Sequence, residues 1–145
     1  MAKQLIFALL STAAFCILWH LPLRHLLLAS FGGMAGCALS LFLSSRMESA
    51  FYAGLLVSIF SAAYAEIAAR SVRAPATLFL IPAIIPLVPG SSLYYTMLSL
   101  VQGDTAGLHE YGLQTVRWVV SLAAGISLVG VVHQILHRPK KTKPS

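Results

Sequence analysis

Between residues 81 and 96 the chain reads Ile-Pro82-Ala-Ile-Ile-Pro86-Leu-Val-Pro89-Gly90-Ser91-Ser92-Leu-Tyr94-Tyr95-Thr96. Each proline lacks a backbone N–H and clashes with the preceding helical turn. Three of them within eight residues, followed by glycine, cannot form an undisturbed helix. The expected result is a discontinuous helix, with one half over about 76–85, the other over about 91–101, and a break near 86–90. A new helix start exposes free N–H donors with partial positive charge, which suit a carboxylate. Gly90 permits close approach, Ser91, Ser92, Tyr94, Tyr95 and Thr96 add hydroxyls, and Ser91 or Ser92 suits the N-cap. The competing reading is a structural kink held open by Pro82, Pro86 and Pro89 and buried in protein.

Few other residues could do chemistry. Glu66 lies one helical turn before Arg70, as an ion pair at a membrane boundary or as a carboxylate that couples transport to protons or cations. Arg117 could guide an anion or could snorkel to an interface. His133 and His137 have the four-residue spacing of helical metal ligands, but Arg138 is adjacent and no third ligand is near, so no metal is assigned. The chain has only four carboxylates. It carries no HExxH, no phosphate-binding glycine loop and no nucleophile-base-acid order. The sequence therefore predicts neither an enzyme nor a cofactor.

The elements that must position these residues follow from composition. Apolar residues make up 58% of the chain and charged residues 10%, against about 25% charged in soluble domains. Lipid must be the solvent for much of the surface. Five apolar runs (5–21, 26–43, 50–69, 74–101 and 116–136) can each cross a hydrocarbon core about 30 Å thick. As one straight helix the fourth would be about 42 Å long, an excess that its break resolves. The fold class expected is all-α, with about five transmembrane helices over 1–137 and a basic cytoplasmic tail over 138–145. The first run has no small-x-small cleavage pattern and reads as a retained helix.

The net charge of +6 does not indicate nucleic acid. Arg138, Lys140, Lys141 and Lys143 sit in the tail, where they suit anionic lipid and topology control. With five crossings, Arg24, Arg70, Arg73 and those four lie inside, against Lys3 and Arg46 outside. The segment 103–112 carries Asp104 and Glu110 but no Lys or Arg, and reads as an outside loop. This puts the N-terminus out and the C-terminus in. A re-entrant fourth segment would leave six basic residues inside and three outside. Cys16 lies about 9 Å and Cys37 about 22 Å from a turn at Pro22, so no disulfide is expected. Gly32/Gly36, Ala50/Gly54, Ser58/Ala62 and Ser121/Gly125 have the spacing that lets helices approach closely in lipid.

The stretch 69–90, with its Ile-Pro-Leu-Val-Pro-Gly-like core and flanking Arg and Pro, followed by Tyr94-Tyr95 and Leu100-Val-Gln-Gly-Asp104, resembles the threonine/serine exporter superfamily. It is most similar to the small YjjB-like subunit. The resemblance implies a bacterial inner-membrane exporter of threonine and serine, or of succinate-like dicarboxylates, that draws on the proton gradient. It also implies a larger YjjP-like membrane partner. A homo-oligomer is the arrangement expected if this chain transports alone. Ala83 stands where the family favours glycine. On this reading Pro86, Pro89, Gly90, Ser91, Ser92, Tyr94 and Tyr95 meet the substrate, and Glu66, Arg117 and Pro82 serve coupling or gating. The rival is a non-transporting subunit that stabilises a membrane complex.

Overall fold

The structure is a computed structural model that describes residues 2–19, 22–47 and 49–136. Six α-helices and no strand occur among them: α1 (Ala2–Leu18), α2 (Leu23–Ser44), α3 (Ala50–Val72), α4 (Thr77–Ile84), α5 (Gly90–Gln102) and α6 (Thr105–Leu136). A single 3-10 turn, Ile85–Leu87, follows α4. His137 and the tail 138–145 lie outside the described residues, as does the Arg24 side chain.

The distribution of side-chain size fits lipid as solvent. Most buried residues are small, among them Ala8, Thr12, Cys16, Ala29, Ala53, Ser58, Ser61, Ala65 and Ser121, with Phe79, Val57, Leu87 and Leu122 the larger exceptions, while Phe7, Leu27, Tyr52, Ile67, Val101 and Ile135 face outward. Helices in lipid gain nothing by hiding leucine from an equally apolar medium, so they associate through small residues and interhelical hydrogen bonds. The α3–α6 contact shows this directly. A Cβ on Gly54 would overlap the Ser121 hydroxyl, and one on Gly125 would overlap the Ser58 hydroxyl. Ser58 donates to the Leu55 carbonyl at 2.9 Å and the Ser121 carbonyl at 3.3 Å. Each glycine thus receives the opposite helix's serine. On the other side of the bundle Gly32 lies against the Tyr64 ring and Gly36 against Ser61. The Tyr64 hydroxyl donates to the Leu28 carbonyl at 2.8 Å. All these small-residue pairs pack within the chain.

Three helices, α2, α3 and α6, are long and apolar enough to cross a membrane. The pair Thr77–Leu87 and Gly90–Gln102 qualifies together, bent by 50°. The 17 residues of α1 extend about 25 Å at about 1.5 Å each, near the lower limit for a span. Spans by length and composition thus number three or four, with α1 a shorter apolar helix, where the sequence suggests five.

The expected loop over 103–112 is the largest local correction. Gly103, in the left-handed region at φ 71°, ends α5, and α6 begins at Thr105. Asp104 caps it: the Gly107 amide donates to Asp104 Oδ1 at 3.1 Å. Gly107 has no side chain to collide with Ser99 and Asp104, so this glycine permits a tight α5–α6 hairpin. At 32 residues α6 is about 48 Å long, and its polar first turns account for the excess over a hydrocarbon core of about 30 Å. Cys16 and Cys37 are both free and buried.

Candidate functional site

The three prolines act differently. Pro82 is accommodated inside α4 and is buried, while Pro86 sits within the 3-10 turn. The chain turns at Pro89. A residue before proline is pushed out of the helical region, and Val88 is extended at φ −62°, ψ 128°. Pro89, at φ −77° and ψ 62°, is the centre of an inverse γ-turn, closed by the Gly90 amide donating to the Val88 carbonyl at 2.8 Å.

This geometry leaves the Leu87 carbonyl without the amide of Ser91, its acceptor's partner in a continuous helix. A buried orphan carbonyl costs about 1–3 kcal/mol, and in lipid it must find another donor. It finds the indole of Trp118 on α6, whose Nε1 donates to it at 2.8 Å. Trp118 also packs against the buried cluster of Val57, Leu87 and Leu122. The sequence reading did not single out this residue. The available signal was an indole donor at membrane depth in a chain that must satisfy a broken helix.

The break opens on a cavity of about 240 Å³, bounded by Ser40 and Ser44 of α2, the turn from Pro86 to Pro89, Ser91, Ser92, Gln114 and Trp118. Among the described residues no ionisable side chain lines it. The first-turn amides of α5 have no intrahelical acceptor. The N-cap is Pro89, with no side-chain cap hydrogen bond. This corrects the expected cap at Ser91 or Ser92, which lie inside the first turn instead. Their hydroxyls consequently remain available at the cavity wall. A Cβ at Gly90 would meet nothing within 4 Å, so approach to that backbone is open. Tyr94 and Tyr95 do not line the cavity. They are exposed on α5, in contact with each other, and Tyr95 stacks on Tyr111 at 5.3 Å.

Arg117 lies one turn beyond Gln114 and lines a neighbouring cavity of about 280 Å³ with Ser49, Ala50, Glu110 and Gln114. Gln114 borders both cavities. Glu66 is distant from the break in sequence and shares no cavity with it. It pairs across the α3–α6 contact with His133, Oε2 to Nε2 at 3.3 Å, a partner that the four-residue spacing to Arg70 did not suggest. These two line a third cavity with Arg70 and Arg73. No cluster of three or more metal-ligating His, Cys, Asp or Glu side chains occurs among the described residues.

Fold and site together define a polytopic helical membrane protein with a polar cavity at a helix break. The family described as "Threonine/Serine exporter, ThrE" matches residues 4–132, and the chain belongs to that family. Its members are transporters rather than enzymes, so this is a threonine/serine exporter-type membrane protein. The match covers nearly the whole described bundle and includes the break. No curated protein and no solved structure matches the chain.

Proposed function

We propose that this chain is a membrane subunit of a secondary exporter for small carboxylates, and that the break between α4 and α5 forms part of its substrate site. The substrates are threonine and serine or succinate-like dicarboxylates. The chain acts with a larger YjjP-like membrane subunit in the bacterial inner membrane, N-terminus out and C-terminus in. Glu66 is the coupling carboxylate, and Arg117 guides the anion toward the break.

The observation that carries this reading is the cavity at the break. It brings the first-turn amides and the hydroxyls of Ser91 and Ser92 to one wall, next in the chain to Gly90, whose own amide is held by the Val88 carbonyl. Such a site can hold a carboxylate without burying a counter-charge, because the helix start supplies partial positive charge and aligned donors. Length supports a crossing by the α4–α5 pair. Its first part, 77–87, rises about 16 Å, and the 13 residues of α5, inclined by the 50° bend, add about 13 Å. With the extended Val88–Pro89 link, the sum reaches the hydrocarbon thickness of about 30 Å. A re-entrant hairpin requires a much sharper reversal.

The test is efflux of labelled threonine, serine and succinate from cells lacking their own exporters, with this chain expressed alone and with the larger partner. Efflux that requires both chains and is lost in Gly90→Val supports the reading. Unchanged efflux from a membrane-inserted Gly90→Val chain sinks the site.

A further inference from the structure

A second group of polar side chains gathers away from the break. Glu66 and Arg70 on α3, Arg73 at its C-cap, and His133 on α6 surround a cavity of about 400 Å³ with an alanine floor. Trp118 and His133 are about 22 Å apart along α6, so this cavity is remote from the break, and the buried Val57–Leu87–Leu122 cluster lies beside the break end.

Two features set it apart from an ordinary ring of boundary charges. The first is its mixed sign. The side chain of Glu66 is only 23% exposed and is held against His133 at 3.3 Å, while Arg70 stands one turn along the same helix. A negative and a positive group thus face one cavity at the spacing of adjacent helical turns. The second is Arg73. It is the one non-glycine residue with positive φ among the described residues, at φ 54° and ψ 42°. The helix end closes as a Schellman motif, with the Ala74 amide donating to the Ala69 carbonyl at 3.0 Å. Glycine fills this left-handed position without steric cost. A guanidinium is present where the backbone favours glycine, and it lines the cavity. Left-handed non-glycine residues concentrate at functional sites.

We infer that this cavity is a loading site for a zwitterionic amino acid. Arg70 and Arg73 take its carboxylate, and Glu66, steadied by His133, takes its ammonium. The inference rests on the exporter reading, which places this end on the cytoplasmic side, and adds a second site to it. A dicarboxylate would set one of its charges against Glu66, so the cavity selects amino acids over succinate-like substrates. A phosphatidylethanolamine headgroup offers the same pairing of anion and ammonium, and the experiment separates the two.

Binding of labelled L-threonine is measured with the full chain and its larger partner in nanodiscs of phosphatidylcholine alone. A Gly90→Val background, chosen to disable the break, is used to isolate this site. Arg73→Gly, which relieves the backbone and so keeps the fold, should weaken threonine binding about tenfold or more. Glu66→Gln should weaken threonine similarly while leaving succinate binding unchanged or tighter. Threoninamide, which lacks the carboxylate, should compete poorly with wild type and no worse with Arg73→Gly. Wild-type threonine affinity in both variants overturns the site, as does the absence of threonine binding in the Gly90→Val background. Binding of labelled phosphatidylethanolamine that is lost in Arg73→Gly, with no threonine binding, assigns the cavity to lipid and also overturns it. Efflux distinguishes the two readings. Loss in Gly90→Val with wild-type behaviour in Arg73→Gly leaves only the break, and the reverse leaves only this site.

Discussion

The two ends of this bundle solve the problem of polarity in a membrane in opposite ways. At the break, the wall carries hydroxyls, an amide and backbone groups but no formal charge. At the other end, a carboxylate, an imidazole and two guanidinium groups line one cavity. Formal charge is costly at membrane depth and cheaper near an interface. The break can therefore lie in the apolar part of the fold, because its polarity comes from helix ends and short side chains. The charged groups stand near the C-terminal ends of α3 and α6. The difference suggests a division of labour, with recognition by backbone geometry at one end and by charge at the other.

The largest expected effect comes from blocking the break. Gly90→Val should reduce efflux to background while insertion and thermal unfolding in detergent stay near wild type, because the added side chain enters open space. At the charged end, Glu66→Gln should abolish acceleration of efflux by a pH gradient while downhill exchange persists. A pH-insensitive wild type would remove Glu66 from coupling. Replacing Ser91 and Ser92 together by alanine should raise the apparent KM about tenfold, since hydrogen bonds to charged groups contribute about 1.5–3 kcal/mol, with stability unaffected. A matching loss of stability would make these hydroxyls structural. Trp118→Phe keeps the ring but strands the Leu87 carbonyl. It should lower stability by about 1–3 kcal/mol in detergent unfolding and slow efflux moderately. Ser58→Ala, between the two regions, should cost about 1 kcal/mol or less and leave efflux unchanged, and a functional loss there would show that the ends communicate through the α3–α6 contact.

The break was legible because proline chemistry is local. Pro82, Pro86, Pro89 and Gly90 announce an interruption without reference to any other helix, and the two helices end within two residues of the expected positions. The cap was misjudged because serine's preference for the N-cap is weaker than the constraint that Pro89 places on Val88. The segment 103–112 was read as a loop because it lies between two apolar runs and carries Asp104 and Glu110. In the fold only Gly103 takes a left-handed turn, while Gly107 is needed for close helix packing and Asp104 starts the next helix at once.

By itself, the amino-acid sequence determined that the chain is helical, that it belongs in lipid, and where its fourth apolar segment must fail as a helix. Each follows from composition or from the covalent geometry of single residues. Tertiary structure decided which groups meet. Trp118 reaches the Leu87 carbonyl, His133 reaches Glu66, Gln114 borders two cavities, and Tyr94 and Tyr95 are exposed outside the cavity at the break. Contacts between helices depend on their rotation and depth relative to one another. Those are set jointly by glycine-to-serine packing along α3 and α6, and no single helix carries them in its own spacing.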